Sequence, residues 1–128
     1  MQADIRGSQR KVVATEVAPL RRAHGLEGIA VRDGKTLPFS VTRSWSAPAG
    51  TYPERFYLID PKTREVYFEG PAREVSVWGL QSLTGFTDEL TEPIPLAPGS
   101  YALVFSLGGL LGGEVPVEVT EVSGEEAA

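Results

Sequence analysis

The chain has 128 residues, 41% of them hydrophobic and 23% charged, with no cysteine, one histidine and a formal charge of −5. That composition excludes a disulfide scaffold, cysteine-ligated metal and thiol catalysis, and its sign excludes a globally basic nucleic-acid binder. The charge is unevenly laid out: residues 1–50 hold eight basic and four acidic side chains, residues 51–128 hold four and thirteen, and no Lys or Arg follows Arg73.

The length predicts one domain, since domains of ~100–150 residues bury enough surface to fold without staples. We expect a flexible arm over residues 1–10, a single domain over 11–122 and a disordered acidic tail over 123–128. No run approaches the ~20 apolar residues of a membrane span. The start, Met1-Gln2-Ala3-Asp4-Ile5-Arg6-Gly7, lacks the apolar core of a secretory signal. As written the chain reads as cytoplasmic, or as extracytoplasmic if Met1 was added to a trimmed sequence.

Proline and glycine punctuate β-branched and aromatic runs, which is the pattern of short strands joined by turns. Lys11 to Val17 reads as a first strand. Leu20 to Leu26 has some helical character, but Pro19 and Gly25 confine it to about a turn. Ile29 to Val31 and Leu37 to Trp45 flank Asp33-Gly34, a strong hairpin signal. In the second arm Leu37, Phe39 and Val41 alternate with polar positions, and Trp45 continues the inward parity. Arg55 to Gly70 reads as a hairpin about Asp60-Pro61-Lys62-Thr63, a type I turn. Arg64 then stands where such turns favour a left-handed glycine, which predicts mild strain or a shifted register. A four-residue loop sets Ile59 against Val66 and Tyr57 against Phe68. Arg73 to Leu80 alternates cleanly. Gln81 to Pro98 reads as a polar, turn-rich segment with Asp88, Glu89 and Glu92 as solvated loop charge and three prolines that forbid a central strand. A last hairpin joins Ser100–Leu107 to Glu114–Val122 through a loop, Gly108-Gly109-Leu110-Leu111-Gly112-Gly113, and Pro116 marks the final strand as an edge. About eight short strands without crossover helices predict an all-β fold, a two-sheet antiparallel sandwich of immunoglobulin-like type.

The run from Leu96 to Phe105, with its Pro98-Gly99-Ser100-Tyr101 step, followed by Val115-Pro116-Val117-Glu118-Val119, resembles the last two strands of bacterial immunoglobulin-like and fibronectin-like sandwiches. Less closely, the order of elements over residues 37–119, including the hairpin RFYLIDPKTREVYF, is similar to the intracellular proteinase inhibitor family of bacilli. The resemblance implies a sandwich fold and a non-catalytic role; residues 1–36 find no counterpart, so no inhibitory residue is carried over.

Chemistry-bearing constellations are sparse. His24 has no Cys or HExxH-like spacing around it, so it reads as an ordinary loop histidine. Asp60 with Glu65, and Asp88 with Glu89 or Glu92, are the only candidate carboxylate pairs for glycoside chemistry, and turn capping and solvated charge explain them more simply. The 88–92 loop lacks calcium-loop spacing. The glycine loop lacks the GK[ST] ending of a phosphate-binding loop. Arg6, Arg10, Lys11, Arg21 and Arg22 are too few, and too poor in interleaved aromatics, for nucleic acid. We therefore expect no enzyme activity, no metal and no cofactor. The candidate contact residues are Leu110 and Leu111, which either cap the open end of the sandwich or protrude toward a partner, a second subunit or a membrane. Trp78 and Tyr52 are added as candidates that either pack in the core or, with Trp45 and Tyr67, offer a stacking surface for carbohydrate or protein. Trp45 is assigned to the core. The main expectation is a protein-interaction or assembly module with a protein partner or self-association; the alternatives are a carbohydrate- or small-ligand-binding sandwich and a protease-inhibitor-like domain. The basic first third is expected to lie against the acidic last hairpin with Glu114, Glu118 and Glu121.

Overall fold

Strict alternation along Phe39–Ser46 buries Phe39, Val41, Arg43 and Trp45 and leaves Ser40, Thr42, Ser44 and Ser46 half-covered. In the computed structural model, which describes residues 9–20 and 27–122, this strand lies at the centre of one of two sheets. In chain order the strands are β1 (Lys11–Pro19), β2 (Ile29–Arg32), β3 (Lys35–Thr36), β4 (Phe39–Ser46), β5 (Gly50–Ile59), β6 (Val66–Glu69), β7 (Arg73–Val77), β8 (Thr84–Leu90), β9 (Gly99–Leu107) and β10 (Leu110–Glu121). The smaller sheet has the order β1-β4-β8; the larger runs β3-β2-β10-β9-β5-β6, with β7 also paired to β5. First, second and fifth major strands facing the third, sixth and seventh is the immunoglobulin arrangement, so the all-β sandwich is the fold. Most of the predicted arm, the tail, and His24 with Arg21 and Arg22 lie outside the described residues.

Several local expectations are corrected. Ten strands replace about eight. The predicted arm Leu37 to Trp45 is broken at Pro38: Arg32 pairs with Lys35 across the Asp33-Gly34 turn, both residues at positive φ, and the chain then crosses to the other sheet, where β4 pairs with β1. β8 occupies part of the segment read as turns. Its inward positions hold Phe86, Asp88 and Leu90, and an aspartate at the middle one hides the alternation. The sandwich is also not wholly antiparallel, because β2 runs parallel to the end of β10, Val119 beside Ile29 and Glu121 beside Val31. That contact makes β10 an interior strand over its last residues; Pro116 falls where the side away from β9 has no ladder.

Around the Asp60 turn both predicted effects occur. Arg64 has φ 67°, in the left-handed region, and the register shifts between Leu58 and Ile59, so that Ile59 faces Val66 while Phe68 faces Leu58 instead of Tyr57. Asp60 Oδ1 accepts from the backbone N–H of Lys62 (2.7 Å) and Thr63 (3.0 Å). The left-handed Arg64 reaches across the outer face to Glu114 of β10 in a two-pronged pair, 3.0 and 2.9 Å. Glu114 is thus met by the middle hairpin and not by the basic first third, although β2 does lie beside β10. The Pro-Gly-x-Tyr step also has a visible cause: Tyr101 donates its hydroxyl hydrogen to the carbonyl of Ala97 (2.7 Å), the corner that turns the chain into β9.

The core holds Phe39, Trp45, Phe56, Leu103, Phe105 and Leu107, and in its middle an ionic cluster. Arg43, wholly buried, donates Nε–H and Nη2–H to the two carboxylate oxygens of Glu54 on the facing sheet, 2.8 and 2.7 Å, and Nη1–H to the Val41 carbonyl, 3.1 Å. Trp45 Nε1–H donates to the same Glu54 carboxylate at 3.1 Å. Arg43 also lies 2.8 Å from Asp88, which in turn pairs with Arg73 at the rim. The Phe86 ring carries both guanidinium groups, 4.2 and 4.8 Å from its centroid. Two arginines and two carboxylates leave this chain of contacts with no net charge. Asp88 is therefore buried and ion-paired, which corrects its reading as solvated loop charge.

Two outcomes are expected. Removing Glu54 leaves two arginines sharing Asp88 and one buried positive charge unbalanced, so Glu54→Leu costs about 3–5 kcal/mol, whereas Arg43→Met with Glu54→Leu keeps the Asp88–Arg73 pair and recovers most of that loss; denaturant unfolding of both variants checks it. At the surface, backbone N–H groups of Thr63 and Lys62 hold the Asp60 carboxyl below its ordinary range, and hydrogen bonds from Arg64 do the same for Glu114. Both folded-state values are depressed, so their stabilisation is present above the unfolded values and is lost as pH falls through about 4 and below. Melting temperature against pH should have a shallower acid limb in Asp60→Asn with Glu114→Gln than in wild type.

Candidate functional site

One end of the sandwich gathers the start of β1, the β4–β5 connection, the β7–β8 connection and the β9–β10 turn. Residues 44–53, 78–87 and 106–113 contain no charged side chain, and the described charges at this end are Arg10 and Lys11. Elsewhere acids outnumber bases, so this end is chemically distinct.

The glycine loop is tighter than predicted. Gly108 and Gly109, at φ 61° and 83°, form a two-residue turn of the kind that matches strand twist, and Leu110 already pairs with Leu107. Register slips between Leu111 and Gly113, and the intervening Gly112 presses on Trp45, where a Cβ would lie 2.3 Å from a ring carbon. Trp45, wholly buried, therefore closes the core here with backbone above it and leaves no inward space for the leucines. Leu111, 64% exposed, protrudes, while Leu110, 39% exposed, is partly covered. Across the same end, residues 78–83 link the two sheets. Trp78 is 81% exposed and Leu83 61%, with Leu80 also open; the loop is tied down by Ser46 Oγ donating to the Leu80 carbonyl (3.3 Å) and by Ser82 N–H to Gly79 (3.2 Å).

Tyr52 belongs to a different setting from Trp78. It sits at an inward position of β5, half-buried, with its hydroxyl donating to the Pro48 carbonyl (2.8 Å) and Arg10 stacked on its ring at 4.7 Å. Arg10 in turn donates to the Leu107 carbonyl (3.0 Å), which ties the start of β1 to the β9–β10 turn. Trp78 follows the last residue of β7 and stands open to solvent. Tyr52 holds the loops, while Trp78, Leu83, Leu110 and Leu111 stand open at this end. Sequence reasoning did not single out Leu80 and Leu83, which stand as isolated leucines in a turn-rich segment.

The remaining candidates resolve into structural roles. Asp60 caps its turn, and Asp88 is committed to Arg43 and Arg73. Among the described residues no group of three or more His, Asp or Glu side chains is placed to hold a metal ion, and no helix is long and apolar enough to cross a membrane.

No family model matches the chain, and no curated protein matches it. Solved structures do. The alkylpurine DNA glycosylase AlkC of Pseudomonas fluorescens, bound to DNA containing an abasic site analogue, is 16% identical over 88% of this chain, with a TM-score of 0.49; the match spans 31% of that protein. The CARDB domain of a Pyrococcus furiosus protein, in complex with two metal ions, is 13% identical over 90% of this chain and 97% of its own, with a TM-score of 0.45. An immunoglobulin-like protein from Pseudomonas aeruginosa is 16% identical over 88% and 98%, with a TM-score of 0.45. These likenesses concern the fold alone. A kinship with the proteinase inhibitors of bacilli is not among them.

If the leucines protrude, Leu110→Ser with Leu111→Ser changes unfolding free energy by less than about 1 kcal/mol, far from the ~2–5 kcal/mol per residue of a buried leucine. Iodide quenches Trp78 and spares Trp45, so the Trp78→Phe variant loses the quenchable fraction of the fluorescence.

Proposed function

We propose that the domain is a non-enzymatic interaction or assembly module whose contact surface is the end that bears Trp78, Leu83 and Leu111. One observation carries this: Trp78, Leu80, Leu83, Leu110 and Leu111 all stand open at a single end, on three connections without a charged residue. Folding does not need them there, and exposed apolar side chains grouped on one surface mark contact sites. Trp is over-represented among residues that dominate binding energy, and the short, glycine-framed turn gives the leucines little freedom to lose on docking.

Site-specific photocrosslinking in the native cell tests the reading. A crosslinker at position 78 or 111 is expected to yield discrete adducts, while one at exposed position 74, on the outer sheet face, yields none. Equal labelling at all three positions, or none at any, overturns the proposal.

A further inference from the structure

We infer that the partner is a second copy of this chain, docked head to tail, with Trp78 of one copy entering a recess at the far end of the next. The inference rests on the reading of the end that bears Trp78 as a contact surface and names what meets it.

The recess lies beside the end of β8, where Phe68 of β6, Leu90, Pro93 and Ile94 line a hollow of about 260 Å³ rimmed by Glu89 and Glu92. Phe68, Leu90 and Ile94 rest on the core and keep part of their surface open, so the floor is apolar. Its volume is below the ~300–1,000 Å³ of small-molecule sites, and its open, shallow form suits one inserted side chain. Leu90 pairs with Phe39 at the start of β4, whereas Thr84, beside the 78–83 loop, pairs with Trp45 near the end of β4. Recess and loop are therefore at opposite ends of the same strand pair.

Two features select a head-to-tail contact over an end-to-end one. The first is shape: a protruding indole at one end and a hollow at the other. The second is charge. The end that bears Trp78 carries Arg10 and an exposed Lys11 and, among the described residues, no acid, while both charges on the rim of the recess are carboxylates. Apposing two such ends brings lysine to lysine; docking the end on the recess brings lysine to Glu89 and Glu92, and complementary charge of this kind fixes orientation and register. The contact uses different surfaces on the two copies, so it leaves one free at each end and successive copies add without closure.

Sedimentation of the full chain over a concentration series tests this, with circular dichroism confirming that each variant is folded. Wild type is expected to rise in mean mass with concentration past the dimer. Trp78→Ser with Leu83→Ser removes the protrusion, and Glu89→Lys with Glu92→Lys inverts the rim; each variant alone is expected to stay monomeric. Mixed in equal amounts they retain one working contact per pair and should form dimers that grow no further. A wild type that is monomeric throughout overturns the inference, and if the crosslinks at positions 78 and 111 persist, to another protein, the contact surface stands without it. Self-association kept by the rim variant but lost in the Trp78 variant means end-to-end pairing and also overturns it. So does loss of self-association together with Trp78-dependent binding to phosphatidylcholine–phosphatidylglycerol vesicles.

Discussion

A fully buried guanidinium facing a fully buried carboxylate constrains everything around it. Arg43 and Glu54 sit on different sheets, so the two layers meet at the spacing and register that let both prongs of the fork close at 2.7 and 2.8 Å. Hydrophobic side chains tolerate sliding; a desolvated ion pair does not, because either charge alone in the core is far more costly than a misplaced methyl group. Trp45 is oriented by the same carboxylate, and Trp45 in turn forbids a side chain at position 112. The bulge in β10 and the outward leucines are thus downstream of the pair at the centre.

Much of the architecture was legible in the sequence. Alternation in Phe39–Ser46, the Asp33-Gly34 and Asp60-Pro61 turns and the Pro-Gly-x-Tyr corner each identify a local element for a local reason, and together they specify a sandwich. What the pattern hid were the places where a polar residue takes an inward position. Arg43 has the same parity as Val41 and Trp45 and was passed over because it is charged. Asp88, at the inward position of β8, disguised a strand as loop. Each makes sense only with its partner, and the partners lie 11 and 45 residues further along the chain from Arg43, beyond the reach of any periodicity.

The candidate site was half legible. Leu110 and Leu111 stood out through their flanking glycines, yet whether they turned in or out depended on the space beneath, which Trp45 fills. Tyr52 looked like a surface aromatic and serves instead to hold Pro48 and Arg10 in place. Leu80 and Leu83 drew no attention because isolated leucines in loops are ordinary; only the topology shows that their loop and the β9–β10 turn converge on one end. The lack of charge on three connections at that end is a regional property, visible once strands are assigned to ends.

The parallel contact between β2 and the last turn of β10 bears on the order in which the chain can fold as it is made. Val119 joins Ile29 across about 90 intervening residues, and closing so long a span yields nothing until both strands exist. Contacts that are distant along the chain slow folding. During synthesis β2 is finished early, yet its neighbour is almost the last strand to leave the ribosome, so Ile29 and Val31 wait uncovered on one side while the rest of the larger sheet is assembled. Gly28, wedged so close to the Glu118 carbonyl that a Cβ would lie 2.4 Å from it, is where that late arrival must fit. The strand that completes the larger sheet is also the one that seals the earliest strand of that sheet.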